Sequence, residues 1–430
     1  MKNNIFTLFL LLMFWLPLSH ANLTIEINNS SENALPIAII PFSYTGTNAP
    51  KVDIAQVISA NLYRSGKFKA IPVAMLPSMP NSFSEVNYLE WRILEVDSML
   101  LGHISMTDRG LYNVDIQFID LLRKKEVIRK RWNSISNKQL RQVAHKMSDE
   151  IYQELTGIRG AFDTKIAYVT VKKKHGKKTY RLQVADADGF NSKTILKSKQ
   201  PIMSPSWSPD GKKLAYVSFE NGRSEIFTQH LKRKNRKKIA SYKGINGSPA
   251  WSKDGENIAM TLSKNGSADI FVKNLKTNLL TRLTKNYAIE TEAVWAPDGK
   301  SLFFNSDRRG KPQIFQVFLN SKKIKRVSYN VGYNANPAVS SDGRYLAMVN
   351  SDNGFNIGLQ DLYTKEFNVI TNTYLDESPT FSPNGEMILY SMTHQGKSRL
   401  AVVAIDNSMT QILTTSDGEV SSPSWGPFTE

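Results

Sequence analysis

The chain has 430 residues, 41% of them apolar and 10% aromatic, so it is long enough to bury more than one core and too apolar to remain disordered. Lys and Arg outnumber Asp and Glu by 55 to 38, a formal +17 that brings nucleic acid, an anionic membrane surface and acidic protein into consideration as partners. There is no cysteine, which excludes disulfide scaffolds, thiolate-bound zinc, iron-sulfur clusters and thiol nucleophiles together.

Lys2 precedes an apolar run from Ile5 to Leu16 that only Thr7 interrupts, and Pro17, Ser19, His20 and Ala21 follow. Small residues at the −3 and −1 positions of a cleavage after Ala21 mark residues 1–21 as a secretory signal peptide. The run is shorter than the roughly 20 residues a membrane-spanning helix needs. The expected product is exported to the periplasm, and loss of Lys2 brings its charge to +16. Residues 22–33 open with Leu23, Ile25 and Ile27 alternating with polar residues, then become Asn28-Asn29-Ser30-Ser31-Glu32-Asn33, which reads as an extended strand on a flexible tether.

Residues 34–160 alternate strand-like and helical runs, the pattern of a small α/β domain. Ile37-Ala38-Ile39-Ile40 reads as strand, and Ile54, Val57, Ile58 and Leu62 share one helical face. A strand over 98–104 and a hairpin joining 112–118 to 126–132 follow. Leu140, Val143, Ala144, Met147, Ile151 and Leu155 then mark an amphipathic helix that Gly157 stops.

Residues 161–430 are repetitive. Pro205-Ser206-Trp207-Ser208-Pro209-Asp210-Gly211 returns as Pro249-Ala250-Trp251-Ser252-Lys253-Asp254-Gly255 and Ala293-Val294-Trp295-Ala296-Pro297-Asp298-Gly299, with fainter copies at Val339 and Phe381 and a truncated one at Trp425. The tryptophan column is spaced by 44, 44, 44, 42 and 44 residues. In each unit Asp-Gly or Asn-Gly turns the chain into a second apolar strand, and two more strands complete a four-stranded antiparallel meander. Units of this length bury both faces by packing radially as propeller blades. The last copy stops after its first strand, and the missing partners stand upstream at Ile166-Ala167-Tyr168-Val169 and beyond. The expectation is a six-bladed propeller whose ring is closed by the C-terminal strand pairing with the first blade, leaving no open edge.

The junction Thr156-Gly157-Ile158-Arg159-Gly160-Ala161-Phe162-Asp163-Thr164-Lys165-Ile166-Ala167-Tyr168-Val169, leading from an α/β domain into Trp-Ser-Pro-Asp-Gly repeats, resembles the TolB family of periplasmic propellers of the Tol-Pal system. The likeness covers nearly all of the expected mature chain. It implies a non-catalytic, monomeric adaptor between TolA and the peptidoglycan-associated lipoprotein Pal, supporting outer-membrane integrity and constriction at division. It also implies that Pal docks on the propeller face, at Ile245, Ser248, Thr291, Glu292, Asn336 and Glu377, and that Leu23, Ile25 and Ile27 engage TolA, as a strand added to a sheet edge would. The residue pattern alone also admits a propeller that binds carbohydrate or peptide in its channel.

Other chemistries find little support. No Gly-x-Ser-x-Gly occurs, and residues 22–160 are too few for a hydrolase domain, so no catalytic residue is assigned. Asp186-Ala187-Asp188-Gly189 lacks the further oxygen ligands of a calcium loop and reads as a turn. His103, His145, His175, His230 and His394 show no ligand spacing, and neither metal nor cofactor is expected. The basic clusters at 172–178 and 232–238 read as solvated loops without interleaved aromatics, which argues against nucleic acid and leaves an anionic envelope surface or an acidic partner.

Overall fold

Strand-forming and helical runs between residues 35 and 156 build a mixed six-stranded sheet with helices on both faces. The computed structural model describes residues 34–330, 332–352, 354–415 and 418–429, so Leu23, Ile25 and Ile27 lie outside the described residues. The short strand Leu35–Ile39 pairs in parallel with Phe68–Ala70 on one side and Ser98–Met106 on the other, and Tyr112–Asp120 and Lys125–Ile135 extend the sheet antiparallel. Alternation along the first strand sends Ile37 and Ile39 to one core and Ala38 and Ile40 to the other. Helices α1 (Ile54–Arg64) and α3 (Leu140–Thr156) cover the first face, and α2 (Tyr88–Arg92) buries Trp91 against the second. The Asp53 carboxylate accepts from the Gln56 N–H at 3.0 Å and caps α1.

The junction motif has a residue-by-residue cause. Gly157 ends α3 with φ +73°, its N–H reaching Gln153 O at 2.8 Å. A Cβ on Gly160 would stand 2.5 Å from Asp149 Cα, so only glycine lets the chain pass α3 this closely. Asp149 then accepts the N–H groups of Phe162 (2.7 Å) and Asp163 (3.1 Å), and Phe162 packs edge-on against Tyr152. Thr164 donates to Ala161 O and accepts the indole N–H of Trp425 at 2.9 Å, joining the two ends of the propeller to the junction.

Six four-stranded sheets follow. The first blade combines the C-terminal strand Glu419–Trp425 with Lys165–Lys174, Lys177–Asp186 and Lys193–Ser198, with Trp425 opposite Ile166 and Glu419 opposite Val171. The remaining blades begin with Ile202–Trp207, Asn246–Trp251, Glu290–Trp295, Tyr333–Val339 and Asp376–Phe381. The tryptophan column sits between blades: Trp207 donates to Ser424 O (3.1 Å) and Trp295 to Ala250 O (3.0 Å), each reaching the inner strand of the preceding blade. In the turns, Asp210 accepts from Ser208 and the Lys212 N–H, which fixes the loop that Gly211 closes at φ +65°.

The basic clusters are only partly loops. Lys172, Lys173, Lys174, Lys177 and Lys178 belong to a regular hairpin whose turn is only His175 and Gly176, while Arg236, Lys237 and Lys238 lie in the outer strand Arg236–Ala240. Two residues with φ +48° and +75° suffice for a tight turn of the primed kind, so the ladder continues through the lysines.

One apolar core runs from the N-terminal sheet through Tyr152 and Phe162 to Tyr168, Leu389, Leu400 and Trp425 of the propeller. A buried polar network reinforces it. Arg64 donates to Gln411 Oε1 and Asn61 Oδ1, both at 3.0 Å, and with Asn61 Oδ1 thus occupied its amide nitrogen faces Ser148 Oγ and His145 Nδ1 at 2.9 Å. His145 therefore carries its proton on Nε2, which faces Asp188 Oδ2 at 3.2 Å. Arg141 donates twice to the same oxygen, at 2.8 and 2.6 Å. Burial alone would raise the Asp188 carboxyl, but His145 and the charges of Arg64 and Arg141 hold it well below the usual carboxylate range.

D188A leaves buried cations without their counter-charge and should cost about 3–5 kcal/mol at neutral pH, read by urea unfolding. Because the folded carboxyl is depressed, its stabilisation is present above the ordinary carboxylate range and is lost as pH falls. The gap between wild type and D188A should therefore narrow below about pH 4. A gap independent of pH would show that the ionised carboxylate is not what joins the domains.

Candidate docking face

Each inner strand enters the ring through the same irregularity. The register with the second strand slips between Met203 and Ser206, Gly247 and Ala250, Thr291 and Val294, Ala335 and Ala338, Glu377 and Thr380, and Ser421 and Ser424. Every slip contains one left-handed residue: Ser204, Ser248, Glu292, Asn336, Ser378 and Ser422, with φ between +45° and +57°. Proline follows in five blades and Ala293 in the fourth. Proline suits the position after the slip because the interrupted ladder needs no N–H there.

Left-handed backbone is free for glycine and costs other residues on the order of 1 kcal/mol or more. None of the six positions is glycine, so all six keep a side chain in spite of that cost. These bulges line one funnel of about 410 Å³ at the channel mouth, with equivalent residues from all six blades. Four serines, one asparagine and one carboxylate make its ring polar. Its rim is apolar, since Ile245 is 53% exposed, Tyr287 89%, Ile289 59% and Tyr374 72%. Exposed tyrosines around a polar recess are the composition of a protein-docking surface.

The carboxylate is held by its neighbours. Glu292 Oε2 accepts from the Asn336 N–H at 3.1 Å and from Asn305 Nδ2, and the same Asn336 N–H reaches Asn305 Oδ1 at 2.9 Å. Burial pushes the Glu292 carboxyl above the ordinary range, against the hydrogen bonds from Asn305 and Asn336, and the charge of Glu377 adds to the rise. Burial likewise raises the Tyr333 hydroxyl, with Glu292 and Glu377 contributing.

The structure sorts the six predicted docking residues into three positions. Ser248, Glu292 and Asn336 line the funnel. Thr291 and Glu377 stand one position earlier: Thr291 is half-buried, with its hydroxyl accepting from Asn305 at 3.4 Å, and Glu377 is exposed and paired across the ladder with Ser391. Ile245 belongs to the rim. Ser204, Ser378 and Ser422 complete the ring, as the repeat spacing shows once the left-handed column is known. Tyr287 and Tyr374 were hidden in the connections between blades, several residues upstream of the Pro-x-Trp column.

At the opposite end of the propeller, His145, Asp186 and Asp188 come together although sequence spacing separates them. Their ligand atoms lie within 4.8 Å of one another, a spacing that a cation would fit. Arg141 already neutralises Asp188, and Lys165 and Asn191 already engage Asp186, so the protein's own groups occupy these carboxylates. A groove of about 610 Å³ between the fourth and fifth blades, lined by Phe318, Val339 and Leu362, has no counterpart in the funnel's six-fold arrangement.

A closed propeller with one polar funnel, one apolar rim and an appended α/β domain defines a scaffold for protein recognition. The chain matches the TolB beta propeller domain over residues 152–429 and the TolB amino-terminal domain over residues 23–127. It belongs to the TolB family. It is 62% identical to the Tol-Pal system protein TolB of Hydrogenovibrio crunogenus over 429 residues, covering 100% of this chain and 99% of that one, and 57% identical to the TolB of Thioalkalivibrio sulfidiphilus, covering 97% of each. The crystal structure of TolB from Acinetobacter baumannii superposes with a TM-score of 0.87 at 35% identity, covering 95% of this chain and 100% of that one.

A raised carboxyl pKa means that Glu292 stabilises the fold most at low pH, and that this contribution fades as pH climbs through its folded value. The thermal midpoint of wild type should therefore fall relative to that of E292Q as pH rises above the ordinary carboxylate range of about 4. A constant difference would show that the funnel does not desolvate this group.

Proposed function

We propose that the protein is a non-catalytic, monomeric adaptor of the periplasmic Tol-Pal system, binding Pal at the funnel and TolA through residues 22–33, in support of outer-membrane integrity and constriction at division. The observation that carries this reading is the ring of six left-handed, side-chain-bearing bulges inside an apolar rim. A ring strained in every blade is rigid, so a folded partner docks with little ordering cost. Glu292 and Asn336, tied across neighbouring blades, present fixed polar groups, while Ile245 and Glu377 offer exposed contact area. Family membership supports the same partners. Export after cleavage behind Ala21 would bring the chain to them.

I245E and E377K change exposed side chains and should leave folding intact while weakening capture by purified Pal at least about tenfold, or 1.4 kcal/mol. Deletion of residues 22–33 should abolish TolA binding and preserve Pal binding. Titration of both partners by calorimetry distinguishes the roles: Pal affinity untouched by both I245E and E377K would refute the docking-face assignment, and TolA affinity untouched by the deletion would refute the N-terminal one.

A further inference from the structure

The hairpin of the first blade extends past its own inner strand, as that of the third blade does. Inner strands start at the funnel and second strands return to it, so the turn at His175 and Gly176 lies at the funnel end. The inner strand's last partner is Val171, opposite Glu419, and the ladder then continues through Lys172 opposite Thr179, Lys173 opposite Lys178 and Lys174 opposite Lys177. Three further pairs at about 3.3 Å each carry the tip roughly 10 Å beyond the inner strand.

This finger violates a rule of strand pairing. Lysine faces lysine in two consecutive pairs, and Arg181 faces Lys197 lower in the same blade. Like charges directly opposite destabilise a ladder. With Lys199 in the adjoining connection, eight cations crowd this corner; residues 171–185 and 190–200 contain no Asp or Glu, and Glu419 of the inner strand stands opposite Val171 at the base of the finger. All five lysines of the finger are exposed. The two facing lysine pairs leave a surplus of positive charge at the tip that anions from outside the chain would relieve.

The chemistry of the anion follows from shape and residue type. Seven of the eight cations are lysine, a strongly hydrated point charge without the planar fork that reads a carboxylate in a protein interface. Lysine is depleted from the cores of protein interfaces. Five of the cations are exposed lysines at the hairpin tip, which suits a broad anionic sheet better than a single acidic side chain. We propose that the finger is an electrostatic contact for an anionic phospholipid surface, placed so that the funnel faces the same membrane. This goes beyond the adaptor reading and does not rest on it, because the contact needs neither Pal nor TolA.

Flotation of the purified protein with vesicles tests this directly. At about 0.1 M salt, wild type should float with vesicles of equal parts phosphatidylglycerol and phosphatidylcholine and not with phosphatidylcholine alone, and about 1 M salt should release it. At roughly fivefold per lysine near a charged surface, K173Q/K174Q/K177Q/K178Q should lower the partition coefficient at least tenfold. K174E, which turns one facing pair into an ion pair, should lower it and keep the hairpin paired. The triple variant K232Q/R233Q/K234Q, altered at the opposite end of the propeller, should stay within about twofold of wild type. Unchanged Pal affinity in the finger variants separates a loss of the lipid contact from a loss of folding or of the funnel. Equal flotation with neutral vesicles, equal losses from both clusters, or an unaltered finger variant would each overturn the assignment, as would capture of acidic protein without any capture of anionic vesicles.

Discussion

The pairing of Glu419–Trp425 with Lys165–Lys174 is the constraint on which the molecule depends. A meander of 270 residues has two ends, and each would be an exposed sheet edge if it stood alone. Placing both ends in the first blade removes both edges with one ladder. It also brings Trp425 to Thr164, eight residues after α3 ends, so ring closure and domain attachment share a side chain. Without disulfides, this ladder is the chain's substitute for a covalent clasp.

Closure makes the bulges useful. In an isolated blade, a left-handed serine ahead of proline would be a local cost that the strand could relax. In a closed ring the neighbouring blades resist that relaxation, and Trp207 and Trp295 reach the preceding blade's carbonyls to hold the spacing. Strain shared by six equivalent positions thus becomes a preformed mouth. The fourth and fifth blades depart most from the repeat, with Ala293 for proline and Val339 for tryptophan, and between them Glu292, Asn305 and Asn336 replace the lost regularity with a polar lattice. A departure from the repeat therefore marks the funnel's one carboxylate.

Much of the fold is legible because the repeat states it many times over. Spacing sets the blade, Asp-Gly sets the turn, and the truncated last copy sets the closure. The junction motif is legible as a family signature, but its causes lie in tertiary packing: that Gly160 must clear Asp149 depends on an α3 residue eleven positions earlier. Residues 68–96 carried no clear period, since Phe68–Ala70 is a three-residue strand and Trp91 is buried by a helix of one turn and a half. The docking face was half legible. The loop was evident from the repeat, but which residue of each loop turns left-handed depends on a register slip that no hydrophobic pattern records. The His145 to Asp188 contact was invisible for a simpler reason, because its members come from two domains and are joined only by packing.

The two ends of the propeller are nonetheless close in chain terms. The apolar contacts with the N-terminal domain fall on the first and sixth blades, through Tyr168, Ala185, Met387, Leu389, Leu400 and Trp425, and the polar ones through Asp188 and Gln411 of the same blades. Among the described residues, these blades therefore carry the direct contacts between the propeller and α1 and α3. Within them the shortest route is a single strand. Ser422 lines the funnel and Trp425 lies in the shared core, three residues or roughly 10 Å further along Glu419–Trp425. That strand is also the closing one, paired with Lys165–Lys174 on both sides of the slip between Ser421 and Ser424. A displacement that passes from Ser422 across the slip to Trp425 reaches Thr164 and the junction behind α3 through the indole hydrogen bond.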